Sequence, residues 1–352
     1  MTVGRGTGLT YRDAGVDIAA AEQMLSGVKA AVRRTHNAAV LHTLADFGGL
    51  YALGQYRDPV LVAGTDSVGT KLKIAFAMGK HDTVGQDVVA MCVDDIVCQG
   101  ARPLFFLDYL GIGKLDPGVA TAVITGVAAA CEQVGCALIG GETAELPSLY
   151  AEGEYDLAGF AVGVVERDEI IDGSAVREGD VILGLPSSGL HSNGYSLARK
   201  VLLEVGGLGL DLPVPELGRT LGEELLEPTR LYTRHLVAVL DAGLRPHGIV
   251  HITGGGWPGN ISRVIPEGLC AVCDPATVSL PPIFPLIQRL GEVAEEEMYH
   301  TFNMGLGMVL VVAPEDAERC GEYLDQSAMA ACHLGHVEAG EPRFRFARGA
   351  RS

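Results

Sequence analysis

The stretch from Gly64 to Lys71, with the sequence GTDSVGTK, holds residue types that bind phosphate, and it follows the apolar run Val60 to Ala63. A buried strand that ends in glycines, hydroxyls, a carboxylate and a lysine offers backbone N–H groups, a cation and a metal ligand to a phosphate. The spacing departs from a Walker A loop, because Thr70 separates the second glycine from the lysine. We interpret the stretch as a nucleotide-binding loop of another kind. A glycine-rich turn with one exposed lysine is the alternative.

Two acidic residues, Asp87 and Asp94, lie seven positions apart in a predicted helix from about Thr83 to Gln99. At 100° per residue they fall within about 20° of each other, so they share one stripe, with Asp95 beside them. Neighbouring carboxylates repel each other unless a cation lies between them, and Mg²⁺ prefers oxygen ligands. The alternative is a solvent-facing acidic patch.

A further acid, Glu142, follows a predicted strand and the pair Gly140-Gly141, which matches the placement of Asp66 at the end of its own strand. Acids delivered by separate strands or helices can converge on one metal. In the second half of the chain, a loop rich in hydroxyls contains His191, which could serve as an acid, a base or a donor to an oxyanion. A bystander histidine in a capping loop is the alternative.

A second glycine-rich loop, residues 253–260, satisfies the pattern G-x-G-x-x-G after a predicted strand, and Asp274 follows twenty residues after its first glycine. These are the sequence conditions for a dinucleotide site, so a nicotinamide- or flavin-dependent oxidoreductase is the second functional hypothesis. Against it, the acids of the first half would have no role, and Pro258 lacks the N–H that such a loop should donate.

The composition limits the classes of function. The 352 residues exceed what one core usually serves, which predicts two domains. A net charge of −18 argues against nucleic-acid and anionic-membrane binding. We find no signal peptide and no uncharged apolar run of membrane-spanning length, so the cytosol is the expected compartment. The pair Cys270/Cys273 lies in an apolar run without partner ligands and is expected to be buried and reduced.

Strand-like and helix-like segments alternate throughout, which predicts an α/β protein. We expect a glycine-rich arm or lid over residues 1–20 and an ATP-binding domain over 21–168. A polar stretch from Glu166 to Asp180 marks the boundary. A second α/β domain over 175–340 and a tail over 341–352 complete the predicted organisation.

Many spaced motifs, from about Leu9 to the mid-330s, resemble the phosphoribosylformylglycinamidine cyclo-ligase family, also called aminoimidazole ribonucleotide synthetases. They include GTD through Lys71, HDT at 81–83, MCV at 91–93, QGA at 99–101, FFLDY at 105–109, GGETAE at 140–145, HSNGYS at 191–196, TGGG at 253–256, and Met298-Tyr299 with TFN at 301–303. The departures are Ser67 for the usual glycine, Arg12 for an expected lysine, and Asp94 for a frequent asparagine.

The resemblance implies a PurM-like two-domain architecture and an ATP-dependent ring closure of formylglycinamidine ribonucleotide to 5-aminoimidazole ribonucleotide, in purine biosynthesis. ATP phosphorylates the formyl amide oxygen, which activates the carbon that carries it. An amidine nitrogen then attacks this carbon, and phosphate leaves. A homodimer with the active site between domains is also implied. The same architecture occurs in selenophosphate synthetase and a hydrogenase maturation factor, but the cysteines that those enzymes need near a terminus are missing here.

Residue roles follow from the same resemblance. Asp66, Asp94 or its substitute Asp95, and Glu142 are expected Mg²⁺ ligands, Lys71 is the partner of phosphate charge, and His191 transfers a proton or polarises the amide. The remaining expected contacts to ATP or to a substrate phosphate are Gly64, Thr65, Gly69, Thr70, Gly141, Gly254, Gly255 and Gly256. A scaffold that binds ATP without turnover is the non-enzymatic alternative.

Overall fold

A computed structural model describes residues 11, 14–41 and 48–347 of the chain. Two separate β-sheets dominate it, one in each half, and helices cover them. Most of the predicted arm, including Arg12, lies outside the described residues.

The first sheet has four strands in the order β1-β4-β2-β3, and only the β2/β3 pair is parallel. The strands are β1 (Pro59–Ser67), β2 (Arg102–Ile112), β3 (Ala137–Glu145) and β4 (Tyr155–Glu166). The helices of this half are α1 (Ile18–Thr35), α2 (Leu72–Met78), α3 (Val84–Val97) and α4 (Pro117–Val134).

Local sequence signals explain where these helices begin and end. The Asp116 side chain accepts hydrogen bonds from Gly118 N and Val119 N, Pro117 occupies the first turn of α4, and Gly135 ends the helix with φ +69°. This is the arrangement of capping acid, proline and left-handed glycine that helices favour. Helix α1 begins at Ile18, capped by Asp17, so the helical region reaches into the segment predicted to be an arm.

The second sheet has six strands in the order β12-β9-β11-β5-β10-β8, antiparallel except for β12/β9. Its strands are β5 (Val181–Pro186), β8 (Gly248–His251), β9 (Leu269–Cys273), β10 (Leu306–Val312), β11 (Cys332–Ala339) and β12 (Phe344–Phe346), and β6 (Pro213–Val214) pairs separately with β7 (Arg219–Thr220). Strand β12 lies inside the predicted tail, so the second domain continues past residue 340; its short run of aromatic residues packs at the sheet edge.

The helices of the second half are α5 (Tyr195–Arg199), continued as a π-helix over Lys200–Val205, α6 (Leu221–Leu225), α7 (Thr233–Asp241), α8 (Gly256–Ile261), α9 (Ile283–Gly291), α10 (Glu295–Thr301) and α11 (Pro314–Gln326). All eight cysteines are free, and Cys270 and Cys273 are buried in β9, as predicted.

Helix α4 is the one helix among the described residues that is long and apolar enough to cross a membrane by length and composition. It contacts α1 and α3 and packs against β2 and β3. Its apolar character is therefore explained by its place in the core of the first domain.

Helix α3 joins the two halves of the molecule. It is almost entirely buried, with β1, β2 and β4 on one side and α7 and β8 of the second half on another. Residues from both halves therefore meet along α3.

Candidate functional site

Two acids of the first half and one histidine of the second half lie together where β1, α3 and β8 meet. Asp95, in α3, is about half exposed, and its Oδ1 lies 2.8 Å from Nδ1 of His251, the last residue of β8. Asp66, near the end of β1, interacts electrostatically with both. We call Asp66, Asp95 and His251 the acid–histidine centre.

The pKa values in the acid–histidine centre move in the direction expected for crowded carboxylates. Burial raises the pKa of Asp66, the Ser67 N–H lowers it, and the charge of Asp95 raises it again. Burial lowers the pKa of His251, but the hydrogen bond to Asp95 and the charges of Asp94, Asp95 and Asp66 outweigh it and raise the pKa above its ordinary value. The negative charge around the ring therefore favours an imidazolium.

A cavity of about 290 Å³ opens beside the acid–histidine centre, between the two halves of the chain. Asp95 and His251 line it, together with Arg263, which follows α8. His251 Nε2 is buried and has no hydrogen-bond partner among the described residues. His251 and Arg263, from the second half, thus line the same cavity as Asp95, from the first half.

Asp87 and Asp94 share one stripe of α3, as predicted, and the stripe is buried and does not face solvent. Both side chains are fully buried. Asp87 Oδ1 accepts from the backbone N and the hydroxyl of Thr229, and Asp94 Oδ1 accepts from the N and hydroxyl of Thr233, at 2.7–2.9 Å. The two acids anchor the second half to α3, and Asp94 caps the first turn of α7. In this structure the Asp94 carboxylate is engaged by α7, and the metal role predicted for it stays a prediction.

Lys71 does not face an open site. It is fully buried, and its Nζ donates to Asp87 Oδ1 at 2.8 Å, to His191 O at 3.0 Å and to Glu227 O at 2.7 Å. These bonds use all three ammonium hydrogens. Lys71 therefore pairs within the chain in this structure, as a buried cation must, and the role in neutralising phosphate charge stays a prediction.

Glu142 does not converge on Asp66 within one chain. Cross-strand register places Asp66 opposite Gly159, Gly159 opposite Asp108, and Asp108 opposite Gly141. Asp66 and Gly141 therefore share a sheet face, whereas Glu142 points to the other face, three strand spacings or about 14 Å away. The two side chains therefore do not meet within one chain, because a shift of one residue changes the face of the sheet, and the metal role predicted for Glu142 stays a prediction.

Glu142 instead lines a groove of about 610 Å³ together with Gly140 and Gly141. Apolar residues of α1, including Met24 and Val28, form the opposite wall. Gly141 is needed here, because a Cβ would lie 2.3 Å from Asp108 Oδ1.

The remaining residues of the first glycine loop have structural contacts. A Cβ on Gly64 would press on Ile96 of α3 at 3.2 Å, and Gly69 makes the turn after β1 with φ +70°. Thr65 Oγ1 donates to Gly159 O across the sheet, and Thr70 Oγ1 lies 3.2 Å from Ser196 Oγ in the second half. Gly64, Thr65 and Thr70 thus hold the strand end against its neighbours, and Gly69 forms the turn.

His191 lies inside the junction between the halves. It is 1% exposed, its φ of +62° is left-handed, and its Nε2 accepts a hydrogen bond from Ser188 N at 3.2 Å. Nδ1 is buried without a partner in the described chain. Burial, followed by the neighbouring cations His251, Lys71 and Arg230, lowers the pKa of His191 well below its ordinary value. His191 is therefore a neutral ring whose Nδ1–H remains to be paired.

The second glycine loop does not form a dinucleotide site. Gly254 N donates to Asn193 Oδ1, and Gly256 N donates to Thr253 O. A Cβ on Gly256 would lie 1.8 Å from Tyr299 O, so this glycine serves packing. Strand β8 is an antiparallel edge strand and Asp274 caps a short 3₁₀ turn, so the oxidoreductase hypothesis loses its parallel βαβ unit. Gly255 forms the left-handed turn between the other two glycines.

No group of three or more metal-ligating side chains of the His, Cys, Asp or Glu type occurs in the ranges that the structure describes. Of the predicted metal ligands, only Asp66 and Asp95 lie together. His251 and Arg263, which line the cavity beside Asp95, were not among the predicted site residues. His251 directly precedes the TGGG motif at the end of a predicted strand, which was the one available signal for it.

Family models match most of the chain. The N-terminal domain of AIR synthase related protein matches residues 35–165, and the C-terminal domain of AIR synthase related protein matches residues 177–346. The chain belongs to the AIR synthase family. Its sequence is 55% identical to the phosphoribosylformylglycinamidine cyclo-ligase of Myxococcus xanthus, over 95% of this chain and 97% of that protein. It is 56% identical to the enzyme of the same name from Geotalea daltonii, over 94% and 97%.

Solved structures share the fold of this family member. Thiamine-monophosphate kinase from Stenotrophomonas maltophilia superposes with a TM-score of 0.68 at 18% identity, covering 92% of this chain and 97% of that one. Hydrogenase maturation protein HypE in complex with ATP gives 0.66 at 16% identity, covering 96% and 94%. The two-domain α/β architecture predicted from the sequence is confirmed.

Proposed function

We propose that this protein is a phosphoribosylformylglycinamidine cyclo-ligase, which closes the imidazole ring of 5-aminoimidazole ribonucleotide at the expense of ATP. The observation that carries the proposal is identity of about 55% with proteins of that name over nearly their whole length. The oxygen of the formyl amide takes the γ-phosphoryl group of ATP, the amidine nitrogen attacks the activated carbon, and ADP and orthophosphate are released.

The acid–histidine centre is the proposed place of phosphoryl transfer. Asp66 fits a divalent cation. Burial and the charge of Asp95 both raise its pKa, because they disfavour the ionised carboxylate, and a bound cation would favour that ionised form. Mg²⁺ commonly binds through one or two carboxylates together with substrate phosphates, and it would supply charge neutralisation for the transferred group. Asp95 holds His251 in place, and binding of the substrates between the halves would have to exclude water, which would hydrolyse the activated intermediate.

The groove beside α1 is the proposed site of the nucleotide. Its volume of about 610 Å³ and its largely apolar lining suit a heterocyclic base, and its few polar groups include Asp108 and Glu142. Because Gly140 and Gly141 have no side chains, a nucleotide can approach their backbone closely. Glu142 would then contact ATP and not the metal bound by Asp66.

His191 is proposed to polarise an amide or phosphate oxygen through its buried Nδ1–H. A neutral, pre-oriented donor in a dry junction stabilises developing negative charge without solvent reorganisation. A role as a cationic acid would conflict with the lowered pKa of this ring.

A homodimer in the cytoplasm completes the proposal. The face of the first sheet that turns away from α3 carries exposed Leu61 and Phe160, at 61% and 40% exposure, in β1 and β4. Tyr109 of β2 adds a third exposed apolar side chain. Exposed apolar side chains on an open sheet face are suited to contact with a second copy of the chain.

The deciding experiment measures the release of orthophosphate from Mg·ATP by the purified protein, with and without formylglycinamidine ribonucleotide. The formation of aminoimidazole ribonucleotide is measured in the same reactions. We expect release only with that substrate and in equal amount to the product. Tight ATP binding without release or product would instead identify a nucleotide-binding scaffold.

A further inference from the structure

We propose that Asn303 is a positioning residue for His191, which it holds through the backbone of the loop that carries the histidine. This loop, residues 187–194 between β5 and α5, is called the His191 loop. The inference rests on the proposed cyclo-ligase function, in which the buried Nδ1–H of His191 polarises an oxygen. Asn303 ends the TFN motif, lies between α10 and β10, and has no role in the function proposed above.

The first support is the hydrogen bonding of the Asn303 side chain, which is buried. Its Nδ2 donates to Gly189 O in the His191 loop at 2.8 Å, and its Oδ1 accepts from Gly305 N at 2.9 Å. These partners fix the orientation of the amide, because a carbonyl oxygen can only accept and a backbone N–H can only donate. A carboxylate, which only accepts, could not pair with Gly189 O.

The second support is the strained backbone on both sides of this contact. His191 has a φ of +62° and Met304 a φ of +46°, although neither residue is a glycine. Such left-handed residues cost about 1–3 kcal/mol each and persist only where the surrounding structure holds them. Ser187 N donates to Gly305 O at 2.9 Å, so the two strained segments are joined by hydrogen bonds at Asn303 and at Gly305.

The third support is close packing between the His191 loop and the segment that carries Asn303. A Cβ on Gly194 would lie 2.4 Å from Cε1 of Phe302, the residue before Asn303. A Cβ on Gly307 would lie 2.6 Å from Cε1 of His191 itself. The segment from Phe302 to Gly307 therefore packs against the end of the loop and against the histidine ring.

The contact at Gly189 reaches the histidine ring through Ser188. The Ser188 N–H donates to Nε2 of His191 at 3.2 Å, so Nδ1 is the ring nitrogen that carries the hydrogen. Because Gly189 directly follows Ser188, a shift of Gly189 moves the donor that orients the ring. Lys71 holds the loop from the first half of the chain by donating to His191 O at 3.0 Å. Asn303 is the corresponding support from the second half.

The test is a double-mutant cycle on kcat between Asn303 and His191. Asn303→Asp has nearly the same shape and keeps an acceptor for Gly305 N, but it loses the donor to Gly189 O. We expect it to lower kcat about a hundredfold and to leave both KM values within about twofold, because a misdirected N–H stabilises the developing charge less. His191→Ala should lower kcat by a similar factor, and the double variant should stay within about threefold of His191→Ala.

Ser327→Ala is the matched control for a loss of stability. It also removes side-chain hydrogen bonds, to His235 Nδ1 at 2.7 Å and to Leu324 O at 2.8 Å, outside the His191 loop. It should keep kcat within about twofold of the wild type, even where it lowers the unfolding temperature as much as Asn303→Asp does. Asn303→Ala introduces no charge and should reproduce both the loss of kcat and the non-additivity with His191→Ala.

The NMR signal of the His191 ring is a readout that does not depend on turnover. It is identified by its absence from His191→Ala, and we expect it to shift in both Asn303 variants but not in Ser327→Ala. An unchanged signal or an unchanged kcat in the Asn303 variants overturns the positioning role, as does a double variant that loses the product of the two single losses. A wild type without cyclisation but with the selective signal shift would refute the proposed function and leave the positioning of the ring intact.

Discussion

Adjacent aspartates in α3 have different surroundings, and this difference defines what each contributes. Asp94 is fully buried and accepts from Thr233, whereas Asp95 is half exposed and pairs with His251. The side chains leave the helix about 100° apart, so one faces α7 and the other the cavity.

This pair yields a matched test of the acid–histidine centre. Asp95→Asn should lower kcat by about a hundredfold, because it weakens the hold on His251 and removes charge from the centre. Asp94→Asn should stay within about twofold of the wild-type kcat, since an amide oxygen still accepts from Thr233. Steady-state assays of both variants check this. A larger loss in the Asp94 variant would return that residue to the active site.

The raised pKa of the buried Asp108 carboxyl group predicts that the stability of the protein depends on pH. Burial raises its pKa to about 7, so the native state binds the proton more tightly than the unfolded chain. The stability that this proton contributes is fully present below about pH 4 and is lost as the pH rises through 7. Relative to Asp108→Asn, the wild type should lose up to about 4 kcal/mol between pH 4 and 8.

Urea unfolding of both proteins across that pH range measures the difference. The difference between the unfolding free energies of the wild type and Asp108→Asn removes the contribution of the other titrating groups, which are the same in both proteins. Parallel stability curves would mean that Asp108 is solvated and ionised in the native protein.

At the scale of elements, Lys71 connects the start of α2 to α3 and to two backbone carbonyls of the second half. Such a buried ion pair fixes the relative position of the elements that it joins. The lysine that follows the glycine loop therefore has a charged partner, as its sequence context indicated. In this structure the partner is Asp87.

Replacing Lys71 by Met should therefore destabilise the protein by about 3–5 kcal/mol, because Asp87 is left buried without its counter-charge. The control is Lys73→Met, two residues further on in α2. Lys73 pairs with Glu154, and both side chains are more than a third exposed, so the loss should stay below about 1 kcal/mol. Thermal unfolding of the two variants compares them directly. Equal stability, with a selective loss of ATP affinity in the Lys71 variant, would restore the phosphate role.

At the scale of the molecule, α3 contacts both halves, and the proposed homodimer places a second copy on the outer face of the first sheet. Phe160→Asp places a charge among the exposed apolar side chains of that face. We expect the wild type to have about twice the 36.9 kDa chain mass and the variant to approach the single-chain mass. Light scattering coupled to gel filtration measures both. The substitution Glu318→Lys, on exposed α11, is the control and should leave the mass unchanged.

The sequence by itself determined the α/β class, the two halves, the helix stripe and the family, because these depend on local periodicity and on motifs read along the chain. Asp66 and Asp95 were also found this way. Only the tertiary structure decided that Asp94 and Lys71 are buried anchors, that Glu142 lies on the opposite face of the sheet, and that His251 meets Asp95 from a strand more than 150 residues away. Burial, register and pairing between distant elements arise from packing, and residue type and spacing do not contain them.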